Sequence, residues 1–147
     1  MKVGIVCSDG GHLTEMLQIK EAFEGHDTFF ITYNVVGGGY GLENVYLMNI
    51  LKKNPLRYLA SLPFLLKVLL KEKPKIIVSN GAEIAIPTLY LAKLLGIKII
   101  FIETIARVDE SSFTGRLIYP LANIFLVQWP QMLEKYGKKA RYHGRVF

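Results

Sequence analysis

Short, continuously apolar runs rich in β-branched residues recur along this chain: Val3 to Cys7, Phe29 to Thr32, Val45 to Met48, Ile76 to Val78, Ile99 to Ile102 and Ile124 to Val127. Unbroken hydrophobicity, as opposed to alternation, belongs to strands covered on both faces, which is the condition of a parallel sheet. Between the runs lie stretches of helical period, His12 to Phe23, Leu56 to Lys71, Ile84 to Leu95 and Gly115 to Leu121, with Gly96 placed to cap the third. The alternation predicts an α/β fold with a doubly wound, mostly parallel, Rossmann-like sheet. No repeat or linker divides the 147 residues, so one domain over 1–147 is expected. Val36 to Gly41, with four glycines, reads as a mobile loop.

Lys and Arg number 18 against 12 acidic residues, a net charge of +6 that calls for an anionic partner: nucleic acid, anionic lipid or a phosphorylated ligand. At 51% hydrophobic residues the chain is rich enough in apolar side chains to leave some outside its core. Cys7 is the only cysteine. It excludes an intramolecular disulfide, fits a reducing compartment and reads as a small buried hydrophobe. The amino-terminal apolar stretch is too short for a signal peptide, which points to the cytoplasmic face.

Chemistry is expected where strands end. Ser8-Asp9-Gly10-Gly11-His12 leads from the first strand into a helix, whose free N–H groups and dipole favour an anion. Two glycines let a ligand reach the backbone, and the alternative is a tight turn with no ligand. The dinucleotide fingerprint and the Walker A loop are both absent, which argues against NAD and ATP. His12 is a candidate general base or hydrogen-bond donor, or else a capping or solvent-exposed histidine. Glu15, one turn on, either orients His12 or favours the first helical turn. Ser79-Asn80-Gly81-Ala82-Glu83 repeats the arrangement at a second strand end, as ligand contact or simply as a turn. A third strand ends in Glu103-Thr104 with Arg107 beyond, where a carboxylate and a phosphate-binding fork face the same edge, unless the two merely pair with each other.

The segment Pro55 to Lys73 sets Leu59, Leu62, Leu66 and Leu69 on one helical stripe, with Arg57, Lys67 and other cations beside it. It falls short of the ~20 apolar residues that span a bilayer. Pro63 is expected to kink it. The segment suits an interfacial helix drawn to an anionic leaflet, or an ordinary core helix with solvated lysines. His12, His26 and His143 lack ligand spacing and no Asp-x-Asp pair is present, so neither metal nor other cofactor is expected. The positive charge lies on no nucleic-acid motif.

In order, Gly10-Gly11-His12-Leu13-Thr14-Glu15-Met16-Leu17, Ser79-Asn80-Gly81, Phe101-Ile102-Glu103-Thr104 with Arg107, and Phe125-Leu126-Val127-Gln128-Trp129-Pro130 form a series spanning nearly the whole chain. The series resembles the membrane-anchor subunit of the eukaryotic two-part transferase that adds the second N-acetylglucosamine to diphosphodolichol, with its bacterial and archaeal relatives in polysaccharide biosynthesis. That family is similar to the N-terminal half of a GT-B glycosyltransferase split into two polypeptides. The resemblance implies that this half binds membrane and a lipid-diphosphate-sugar acceptor. A separate donor-binding catalytic subunit would hold most of the UDP-sugar, and this chain would be inactive alone.

By position, the resemblance implies that the Gly10-Gly11-His12 turn faces the acceptor diphosphate or the reacting hydroxyl, with Glu103 and Arg107 lining the same cleft; His12 and Glu103 are taken from this as the candidate catalytic residues. With the strand-end turns read above, Ser8, Gly10, Gly11, Asn80, Gly81 and Arg107 are the expected acceptor or phosphate contacts, and the helical stripe offers Arg57, Leu59, Leu62, Leu66, Lys67 and Leu69 as the expected membrane contacts. Gln128-Trp129-Pro130 and Tyr142 to Phe147 would lie near the partner. No metal is implied. Eukaryotic members carry an amino-terminal transmembrane helix, whereas this sequence opens on its first strand. Attachment is therefore expected to be peripheral, through residues 56–70 or a partner. The rival readings are a non-catalytic membrane recruiter and a free-standing sugar-nucleotide-binding domain, the latter disfavoured because one sheet lacks a second domain to enclose the nucleotide.

Overall fold

A computed structural model describes residues 1–34 and 41–147. The expected glycine-rich loop, Val36 to Gly41, lies outside the described residues except for Gly41. The strands are β1 (Lys2–Val6), β2 (Asp27–Tyr33), β3 (Val45–Met48), β4 (Ile76–Ser79), β5 (Lys98–Ile102), β6 (Ile124–Leu126) and β7 (Ala140–Arg141). The helices are α1 (Gly11–Gln18), α2 (Pro55–Glu72), α3 (Ala85–Leu94), α4 (Phe113–Ile118) and α5 (Met132–Tyr136), with a 3-10 turn at Lys20–Phe23. All seven strands pair in parallel in the order β3-β2-β1-β4-β5-β6-β7. This is the doubly wound, Rossmann-like sheet that the apolar runs predict.

Side-chain alternation along the buried strands divides the core in two. Phe29, Ile31, Ile77, Phe101 and Phe125 pack with Leu65 and Leu69 of α2 and Leu89 of α3. Val3, Ile5, Phe30, Val78 and Ile102 pack with Leu13 and Met16 of α1. Gly4 is required by the first of these layers, since a Cβ there would come within 2.7 Å of the Phe29 ring. Cys7 is fully buried, and burial pushes its thiol up to about 12, so it is inert at neutral pH.

Local signals set the helix ends. Asn54 caps α2 by accepting from the Leu56 amide at 2.9 Å, and Pro55 occupies the first turn, where its missing N–H costs nothing. Gly96, at φ 73°, ends α3 with paired bonds from Gly96 N to Lys93 O and from Ile97 N to Ala92 O. α2 continues through Pro63 as one helix of 18 residues. The first predicted helix instead breaks after Gln18 into the 3-10 turn.

Candidate active site

Chain order reverses between β1 and β4: β1 leads outward to β2 and β3, and the chain then crosses back to lay β4 on the other side of β1. The carboxyl ends of these two strands diverge into a crevice, the usual ligand position in an open α/β sheet. A cleft of about 440 Å³ opens there. The first strand end contributes Ser8, Asp9 and His12, and the second contributes Asn80 to Glu83. Glu103, Thr104, Arg107 and Ser112 come from the third, while Tyr33, Lys53 and Tyr58 close the side. Ser8, His12, Asn80, Gly81, Glu103 and Arg107, expected from three separate strand ends, therefore meet in one place, while Gly10 and Gly11 lie outside the lining.

The β1–α1 turn needs its first glycine, because Gly10 has φ 73°. Nothing lies within 4 Å of a Cβ built on Gly10 or Gly11, so the backbone there is open to an approaching group. No side chain caps α1, which leaves its amino end available to an anion. His12 sits just inside the helix, its ring packed against Gly81, whose Cβ would stand 3.6 Å from the His12 Cε1. Burial lowers the His12 pKa below 6.5, outweighing the nearby Glu15 and Glu103 carboxylates and the Asn80 carbonyl, which favour the charged ring. A neutral imidazole at pH 7 is the form that can accept a proton.

Glu15 does not orient His12 through a hydrogen bond. Its buried carboxylate accepts from Asn80 Nδ2 at 2.8 Å and from Thr104 Oγ1 at 2.7 Å, tying α1 to the ends of β4 and β5. Asn80 Nδ2 also donates to the His12 carbonyl at 2.8 Å.

Glu103 is 1% exposed. Its Oε2 accepts from Ser112 N at 3.2 Å, from Ser112 Oγ at 2.9 Å and from the Tyr136 hydroxyl, and its Oε1 accepts from Thr104 N at 3.1 Å. The carboxylate thereby holds both ends of the loop that presents Arg107. Ser112 in turn caps α4 through Gly115 N at 2.8 Å. Burial, with Glu103 alongside, raises the Tyr136 hydroxyl above its ordinary value and keeps it a donor. Arg107 is exposed and makes no ion pair with Glu103, so the two do not merely pair with each other.

Tyr33 and Tyr58 were not picked out by the sequence reading, and Glu83 and Lys53, quoted there within a turn and beside the leucine stripe, were given no place in the cleft. Lys52 and Lys53 adopt φ of 52° and 49°, and their successive amides donate to the two oxygens of Glu83 at 3.0 and 3.1 Å. That carboxylate fastens the approach to α2 onto the β4–α3 turn. The available signal was Lys-Lys-Asn-Pro, which marks a turn ahead of a helix but not its distant partner.

The expected membrane stripe on α2 divides. Leu59 is 63% and Leu66 37% exposed, Leu62 is half-buried, and Leu69 is 1% exposed within the core. Leu69 is thus corrected from membrane contact to core, because the inward face runs through Ser61, Leu65, Val68 and Leu69. The exposed apolar row is Leu56, Leu59, Pro63, Leu66 and Leu70, with Arg57, Lys67 and Lys71 beside it. Among the described residues no helix is long and apolar enough to cross a membrane, and no His, Cys, Asp and Glu group could hold a metal ion.

Gln128 also points inward. Its Oε1 accepts from Val146 N at 2.8 Å, Trp129 Nε1 donates to the Ile105 carbonyl at 2.8 Å, and Arg145 lies over the Trp129 ring at 5.2 Å. The last residues are therefore laid along the β6 end of the sheet, next to the loop carrying Arg107.

Known proteins share this fold over nearly the whole chain. MurG of Acinetobacter baumannii superposes with a TM-score of 0.79 at 16% identity, covering 99% of this chain and 45% of MurG. The UDP-GlcNAc 2-epimerase of Methanocaldococcus jannaschii gives 0.76 at 20% identity, over 99% of this chain and 46% of the epimerase. The fold is thus that of the N-terminal half of a GT-B enzyme. The UDP-N-acetylglucosamine transferase subunit ALG14 of Yarrowia lipolytica is 42% identical over 84 residues, 53% of this chain and 38% of that protein. Its Homo sapiens counterpart is 38% identical over 80 residues, 50% of this chain and 37% of that protein. The match thus spans well under half the length of these relatives. Residues 47–146 match the family described as oligosaccharide biosynthesis protein Alg14 like, and the chain belongs to that family.

Proposed function

We propose that this chain is the acceptor-side half of a two-component glycosyltransferase, moving N-acetylglucosamine or a related sugar from a UDP-sugar to a lipid-diphosphate-linked saccharide. The observation that carries the proposal is the cleft at the β1–β4 crossover, where a neutral His12 stands at an uncapped helix end beside Arg107. The acceptor diphosphate would meet the α1 amides and Arg107, by charge-assisted hydrogen bonds. A hydroxyl of the acceptor sugar would attack the anomeric carbon of the donor as His12 takes its proton and UDP departs. Glu103, its oxygens already occupied, would shape the Arg107 loop as a positioning residue.

This fold covers 45% of MurG. A partner subunit would supply a second wall and most of the donor site, and the chain alone would be inactive. The exposed leucine row of α2 and its cations would hold the pair peripherally on the cytoplasmic face of a membrane, each cation adding roughly 1 kcal/mol on an anionic leaflet.

The test is transfer from UDP-N-acetylglucosamine to a lipid-diphosphate-sugar acceptor by this chain, by the partner and by both. Activity only in the mixture, lost with His12→Ala while the complex persists, is expected. Activity from the partner alone would leave this chain a recruiter, and activity from this chain alone would refute the split enzyme.

A further inference from the structure

Buried polar side-chain atoms without partners are few in folded proteins, and a group of them around one cleft calls for an account. Among the described residues, such atoms on His12, Tyr33 and Asn80 belong to side chains lining the one cleft. Asn80 is the most constrained of them. It is fully buried, and its Nδ2 gives its hydrogens to the His12 carbonyl and the Glu15 carboxylate, both at 2.8 Å. The carboxamide cannot turn over, because that would set Oδ1 against those two oxygens. Its free Oδ1 is therefore an acceptor only.

We infer that Asn80 reads the acceptor sugar, its Oδ1 receiving one hydroxyl or amide hydrogen of that sugar, and that it makes no contact with the diphosphate. A phosphate oxygen offers no hydrogen and would be repelled there, whereas a sugar bearing hydroxyl and N-acetyl groups offers several. Glu15 positions Asn80, and Asn80 lines the cleft together with Gly81, at φ 114°, and His12, whose ring packs against Gly81. The inference rests on the proposed acceptor site and adds a basis for choosing the sugar.

The full chain would be titrated by calorimetry with a short polyprenyl diphosphate carrying N-acetylglucosamine and with the same polyprenyl diphosphate bare. Analogues methylated at each sugar donor in turn would follow. The sugar-bearing ligand is expected to bind at least about tenfold more tightly, with one methylation removing that advantage. Asn80→Ala is expected to lose the same advantage, any loosening of α1 weakening both ligands alike. Equal affinity of the unaltered chain for both ligands overturns the inference while leaving the diphosphate site standing, as does a preference that no single methylation removes. Binding of neither ligand overturns the acceptor site and the inference together. Should Asn80→Ala fail to fold, the methylation series on the unaltered chain decides.

Discussion

His12 and Glu103 carry the same signature in the sequence, an ionisable side chain just past an apolar strand, yet they end in opposite states. Glu103 is sealed in, its Oε2 accepting from Ser112 and Tyr136 and its Oε1 from Thr104. His12 is largely buried too, but its Nδ1 has no partner and its ring is held neutral by the loss of water. Burial alone therefore does not mark a reactive group. A carboxylate held by donors from three residues ties structure together, while a ring kept neutral with one nitrogen unpartnered at a cleft has the form that can accept a proton.

Four experiments press on that contrast. The largest effect belongs to His12→Ala, which should lower transfer by roughly 10²- to 10⁴-fold while the melting temperature and partner binding hold. A variant that retained its rate would remove the reactive half of the comparison. Glu103→Ala should instead act on folding, costing about 2–3 kcal/mol in denaturant titrations by stranding the Tyr136 hydroxyl and the Ser112 amide. Unchanged stability with lost transfer would make Glu103 reactive after all. Arg107→Ala should weaken acceptor binding about tenfold, with a shallower salt dependence and an unaltered melting curve, since the side chain is exposed. The smallest effect is a displacement along the pH axis. Because the His12 pKa is lowered from 6.5, the ring stays neutral to more acid pH, so the acid limb of the rate profile should fall below 6.5. A limb above 6.5 would mean that a carboxylate dominates its surroundings.

Continuous apolar runs were enough to read six of the strands and the parallel sheet, because strands buried on both faces have to look that way. β7 is two residues long and α5 five, too short for any period to emerge, and both rely on packing from neighbours. The assembly of His12, Asn80, Glu103 and Arg107 was legible for a topological reason: in a parallel sheet every strand end followed by a helix faces the same edge. Tyr33, Tyr58 and Glu83 were not, since their places depend on contacts between residues far apart in sequence. Leu69 was misread because α2 is leucine-rich on both sides, so periodicity located a stripe without telling which side meets the sheet.

The bond from Glu83 to the amides of Lys52 and Lys53 joins the cleft to the start of α2. At 1.5 Å per residue, the 18 residues of α2 extend roughly 27 Å from that joint. If the leucine row rests on a bilayer, the joint works as the fixed end of a boom, holding His12 at one height above the lipid plane. An acceptor diffusing sideways in the leaflet would then need to search in two dimensions only, and a loosened joint would return the third.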